Sequence, residues 1–265
     1  MNLHVLRHDL RIALRFLLTL AVGVGLFAVL MTVMYPSMQD SFDTMLKAVP
    51  SFLKPLVQAR MGMNTVEGFI TVAFTHPVML ALMASWSLSR GAQAIAGEIE
   101  RGTLGWMLSY PIGRTPFLTA KAVVMLLGCA VLALVFIAGV WGALGVLHIR
   151  HGGLAIYLQA AFMTFMLYGA LGMLTLWCSA ASSERGPATL VGTAFLLVNF
   201  LWNYAAELWG PLKPYKFLSL FDYYDPKAIL NGAGIETLDV AVLGGLMLVS
   251  LAGAIVTFQK RDLSI

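Results

Sequence analysis

"FLTAKAVVMLLGCAVLALVFIAGVWGALGVL", residues 117–147, carries one charge, Lys121, along its whole length. A helix rising 1.5 Å per residue needs about 20 mostly apolar residues to cross a hydrocarbon core about 30 Å thick. This run is long enough to cross. Five further runs meet the same test, near residues 16–35, 69–90, 154–181, 187–207 and 238–258. The whole chain of 265 residues is 59% hydrophobic and 11% charged, with a mean hydropathy of +0.83. A soluble domain would be about half apolar and a quarter charged. The sequence therefore predicts an all-α integral membrane protein with six transmembrane helices in one domain, residues 1–265, because the spans leave no stretch for a separate soluble core.

The first run follows a basic start, but at about 20 residues it exceeds the h-region of a signal peptide, and no small-residue cleavage site follows. It is expected to stay as a span. Lysines and arginines favour the cytoplasmic side. With the amino terminus inside, ten of the seventeen fall on inner segments: Arg7, Arg11, Arg15, Arg90, Arg101, Arg114, Lys121, Arg185, Lys260 and Arg261. Both termini are accordingly expected in the cytoplasm. The basic pI of 9.1 fits an anionic inner leaflet of the lipid bilayer and gives no reason to invoke nucleic acid.

His4, Arg7, His8, Arg11 and Arg15 fall on one side of a helical wheel, with Leu3, Val5, Leu6, Leu10, Ile12 and Leu14 on the other. An amphipathic amino-terminal helix on the inner membrane surface is expected, with Arg7, Arg11 and Arg15 toward lipid headgroups; a plain positive-inside anchor running into the first span explains the same charges. Phe42, Met45, Leu46 and Val49 repeat at helical spacing and predict a short interfacial helix on the outside.

Polar groups inside spans mark either function or packing. His76-Pro77 reads as a histidine at a kink, with a proton relay as the alternative. Asn199, Asn203 and Glu207 in the fifth span could line a substrate path or merely bond neighbouring helices. His148 and His151 do not make a metal site on their own. Cys129 and Cys178 lie within spans and imply no disulfide. In the aromatic stretch 210–234, Asp225-Pro226 fits a helix start and Asn231-Gly232 its end. A short helix re-entering the outer leaflet before span 6 is the expected form.

No phosphate loop, H-E-x-x-H pair or G-x-S-x-G elbow occurs, so no catalytic residue and no metal ligand is assigned. Energy for any work would come from an ion gradient or a partner. The charge sits instead in "GEIERGTLGWMLSYPIGRTP", residues 97–116. Span 2 continues past the membrane at helical spacing through Leu88, Ala92, Ile95 and Ile99. Gly102 should break it, Thr103 should cap a second short helix, and Thr115-Pro116 should start span 3. The result is a helix-turn-helix elbow between spans 2 and 3, expected to expose Glu98, Glu100 and Arg101.

Glu98, Glu100, Arg101, Gly102, Thr103, Leu104, Leu108, Pro111, Arg114 and Lys121 stand where matching residues occur after the second span in permeases of type-2 exporters of the ATP-binding-cassette (ABC) transporter superfamily. "LSLFDYYDPKAILNG" before the last span and the closing "FQKRDL" resemble the same family. Gly105-Trp106 departs from its common acidic or aliphatic pair. The resemblance implies a permease that carries no ATPase motif, dimerises with a second copy or a paralogue, and pairs with separate ABC ATPase (nucleotide-binding) subunits that bind ATP and Mg. It further implies that the elbow is a coupling helix seated in the ATPase, with Glu98, Glu100, Arg101, Gly102, Thr103, Leu104 and Arg114 as the contact set. Export of an amphipathic or hydrophobic compound across a bacterial-type plasma membrane would follow. An ion-coupled carrier using His76 and Glu207 is one alternative, and a non-transporting scaffold or sensor linked to an ATPase is another.

Overall fold

The computed structural model describes residues 3–48, 65–105 and 113–262, with side chains from residue 9 to 39 in the first of these segments. Among the described residues all regular structure is helical. The elements are α1 (Leu3–Ala48), α2 (Val66–Thr75), α3 (Pro77–Gln93), α4 (Ala96–Glu100), α5 (Arg114–Val146), α6 (Leu154–Ala181) and α7 (Arg185–Leu208). Two 3-10 segments (Gly210–Leu218 and Leu220–Tyr223), α8 (Pro226–Leu230) and α9 (Thr237–Lys260) follow. Among the described residues five helices are individually long and apolar enough to cross a membrane, and α2 with α3, bent by 48° between them, pass the same test together, which makes six where the pair counts as one span.

Helix α6 forms the centre and packs against α3, α5, α7 and α9, while α1 lies along α5. Close approach requires small residues. A Cβ on Gly128 would fall inside the Trp86 ring, and that ring in turn donates its Nε1–H to the Met125 carbonyl at 2.8 Å. A Cβ on Gly91 would sit 2.6 Å from the Gly172 carbonyl oxygen, so α3 and α6 touch backbone to backbone. By contrast, Leu190, Val191, Leu197, Val198 and Leu201 leave one side of α7 apolar and exposed, as a lipid-facing or partner-facing wall is.

Span 4, predicted at 154–181, is α6 at the same bounds, and the predicted start and end of the helix after Asp225 are those of α8. Asp225 accepts the Ala228 N–H at 3.0 Å, and Gly232 turns the chain at φ +88°. The bend in span 2 is at His76, whose Nδ1 accepts the Val78 N–H at 3.2 Å while its ring packs 5.2 Å from Phe27. It is the kink histidine the sequence predicts.

Three expectations need correcting. The amino-terminal surface helix and the first span are one uninterrupted helix, α1, because Asp9, Ala13, Leu17, Leu20 and Val24 form a continuous buried stripe against the bundle. The outer helix expected from Phe42, Met45 and Leu46 is the far end of the same α1, and Val49 lies outside the described residues. Finally, α5 and α7 begin at Arg114 and Arg185, earlier than Pro116 and Pro187. A proline anywhere in a first helical turn lacks only an amide that has no intrahelical partner, so it does not fix the start.

Candidate functional site

The elbow is a turn fastened from beneath. Helix α3 stops at Gln93, where Ser179 of α6 intervenes: its Oγ donates to the Ala92 carbonyl at 2.8 Å and accepts the Ile95 and Ala96 amides at 3.1 and 2.9 Å. One hydroxyl thereby uses its single donor and both acceptor sites. Ile95 beside it is fully buried, and α4 leaves in a new direction. Gly102 then reverses the chain at φ +68°, a region open to glycine at little cost. Leu104 returns to the interior among Ile95, Phe117, Leu118 and Phe258.

Beneath the elbow runs a buried chain of charges. Arg90 of α3 donates to Asp9 Oδ2 at 2.7 Å, and Lys121 of α5 donates to Asp9 Oδ1 at 2.7 Å and to Glu98 Oε1 at 2.8 Å. Arg101 adds a 2.9 Å contact to the same Glu98 oxygen, and the Thr103 hydroxyl donates to Oε2. Asp9, Arg90, Glu98 and Lys121 are each less than 10% exposed. Burial pushes the Glu98 carboxyl up, but Lys121, Thr103 and Arg101 together outweigh it and hold the group below the usual carboxylate range. Each buried charge has an opposite partner, so the chain is tolerated only while complete.

Glu98 is therefore not the exposed contact that the sequence predicts. It faces inward because Lys121, placed in an apolar helix, needs an acid. Glu100 and Arg101 do face outward, the Arg101 side chain being 51% exposed. Glu100 Oε2 also accepts the Arg185 N–H at 2.9 Å, joining the elbow to the start of α7 and filling the cap that Glu184 leaves without a side-chain bond. Gly102 is exposed and Thr103 half-buried. Arg114 turns to the end of α9, where it donates to the carbonyls of Phe258, Gln259 and Arg261 at 2.7 to 3.1 Å. Arg261 does the same for α6, reaching the Ala180 and Ser182 carbonyls. Both set a cation against a helix carboxyl end. Arg11 and Arg15 are exposed, whereas the Arg7 side chain is outside the described residues.

Sequence reasoning missed Asp9, Arg90 and Ser179 as parts of the site. A signal for the first existed: Asp9 is the only acidic residue before Asp40, in a segment otherwise basic and apolar.

At the opposite end of the bundle the three candidate path residues separate. Asn199 is structural, its Oδ1 accepting the Leu220 N–H at 2.9 Å and its Nδ2 donating to the Phe195 carbonyl. Asn203 and Glu207 line a cavity of about 520 Å³ between α2, α3, α7 and the 3-10 segments. Glu207 pairs there with Lys216 at 3.2 Å. Among the described residues no group of His, Cys, Asp and Glu could hold a metal ion.

The family model described as "ABC-2 family transporter protein" matches residues 3–263. The chain belongs to this family. As an ABC-2 permease it is a multi-pass membrane protein and a membrane transport component, and members normally work with an ATP-binding subunit. No curated protein matches the sequence.

Proposed function

We propose that this ABC-2 permease is the membrane-spanning half of an ATP-driven exporter, and that its elbow receives the force. The observation that carries the reading is the contrast within four residues: Glu98 is locked into a buried charge chain with α1, α3 and α5, while Glu100 and Arg101 next to it face outward. A surface contact mounted in this way moves as one body with three helices. ATP binding on a separate subunit can do work here only by contacts that differ between two permease conformations, and a rigidly mounted docking face transmits such a difference.

On this reading the elbow faces the cytoplasm, Arg7, Arg11 and Arg15 lie against the anionic leaflet of a bacterial-type plasma membrane, and the cavity end with its short helices opens outward. ATP and Mg are bound by the partner. A second copy or a paralogue would close the groove of about 600 Å³ between α1, α3 and α7, whose apolar walls carry Ser85, Ser89, Thr189 and Thr193. That lining suits an amphipathic or hydrophobic cargo such as a drug, an antibiotic or a lipid. The ion-coupled carrier has less to rest on, since the His76 ring already caps α3.

Charge reversal at the exposed pair, Glu100→Lys with Arg101→Glu, should leave insertion intact and remove the ATPase subunit that co-purifies from membranes. Undiminished co-purification, together with unchanged hydrolysis, would contradict the docking role.

A further inference from the structure

The cavity at the far end of the bundle is built unlike the groove between α1, α3 and α7. It lies in the crook of the 48° bend, with Thr71, Phe74 and Thr75 from α2, Pro77 and Leu80 from α3, and α7 and the 3-10 segments opposite. Its volume of about 520 Å³ lies within the range of small-molecule sites, roughly 300 to 1,000 Å³. Phe74, Phe200 and Phe221 supply aromatic wall, the last two packed edge to face at 5.6 Å. Asn203 lines the same wall, and its buried Oδ1 has no hydrogen-bond partner among the described residues.

Into this cavity the 3-10 segment sends Lys216. Its Nζ stands 3.2 Å from both Glu207 Oε1 and Asp222 Oδ1, so two carboxylates from different elements converge on one ammonium. Burial lowers the lysine's proton affinity, but the hydrogen bonds and charges of Asp222 and Glu207 overcome that, and the ammonium is held charged above the usual lysine range. The lining carries three acids, Glu207, Asp222 and Asp225, against two bases, Lys216 and Lys227. Asp239 lies within electrostatic reach of Asp222 and Asp225, which deepens the negative field. Without the lysine head in place, the cavity is an acidic, aromatic-walled pocket, and such a pocket attracts a positive charge on an apolar body.

We propose that this cavity binds an organic cation of amphipathic shape, whose charge takes the position between Glu207 and Asp222, with Lys216 as a tethered competitor for that position. The lysine stem is flexible and the side chain is 31% exposed, so the head can swing aside into water. Phe74, Phe200 and Phe221 then cover the ligand's apolar part. The proposal deepens the export reading by naming a class of cargo, and it rests on that reading only for the site's place in transport. Equilibrium binding needs no ATPase, so failure here and failure of docking are told apart.

The test is calorimetric titration of the chain, in discs of zwitterionic lipid and against empty discs, with tetraphenylphosphonium and with its anionic counterpart tetraphenylborate. Saturable binding of the phosphonium alone is expected. Lys216→Met should tighten it about tenfold by removing the tethered competitor, and Glu207→Gln should weaken it by a similar factor. Lys216→Gln, which keeps a polar head without charge, gives the same tightening should the methionine variant not fold. Borate binding as tight as phosphonium binding, absence of phosphonium binding in either Lys216 variant, or an affinity unchanged or weakened by removing the lysine charge overturns the proposal.

Discussion

The two ends of the bundle hold their charges in opposite ways. At the elbow, Arg90, Asp9, Lys121 and Glu98 are linked at 2.7 to 2.8 Å and sealed from water on four different helices. At the cavity, Glu207, Lys216 and Asp222 meet at 3.2 Å with side chains 57%, 31% and 29% exposed. Breaking a buried pair strands a charge in an apolar interior, whereas breaking an exposed one returns both groups to water. The difference separates a mount from a mouth: the elbow end is built to stay whole, and the cavity end to exchange partners.

The largest effect expected from breaking this contrast is at Lys121. Lys121→Met removes the shared cation and leaves Asp9 and Glu98 facing each other, at a cost of about 3 to 5 kcal/mol. Folded yield and thermal midpoint in detergent should both fall. Next comes Ser179→Ala, which strands the Ile95 and Ala96 amides and should cost about 1 to 3 kcal/mol. Hydrogen exchange should quicken at the α3 to α4 turn while α9 is unchanged. The smallest effect is in pH. Glu98 has a folded pKa below its unfolded one, so its stabilisation is present above the unfolded value and is lost as pH falls through the lowered one. Lys216 has a raised pKa, so its contribution is present below the ordinary lysine value and is lost as pH rises through the raised one. Acid should therefore loosen the elbow end and alkali the cavity end, read as protection of amides 95–101 and 216–222 at the two extremes.

Long apolar runs made the spans legible, and α6 has its predicted bounds because hydrophobic length alone defines a buried central helix. Asp225-Pro226 and Asn231-Gly232 were legible for a local reason, since caps are read from neighbours in sequence. The burial of Glu98 was not legible because its partner Lys121 lies 23 positions away and Asp9, which shares that lysine, 89 positions away, and no local pattern encodes such a network. The division of Asn199 from Asn203 was hidden likewise. Both lie on α7, four residues apart, yet one bonds the Leu220 amide and the other meets a cavity that the bend at His76 opens.

The central claim is that neighbouring acids of the elbow do different work, Glu98 holding the mount and Glu100 meeting the ATPase. Glu98→Gln and Glu100→Lys, each assayed for thermal midpoint and for co-purifying ATPase, test it most directly. The account predicts that the first lowers the midpoint strongly, while the second, which loses only the cap on α7, lowers it far less and loses the ATPase. A Glu98→Gln protein as stable as wild type, or a Glu100→Lys protein that retains its ATPase in full, would contradict it.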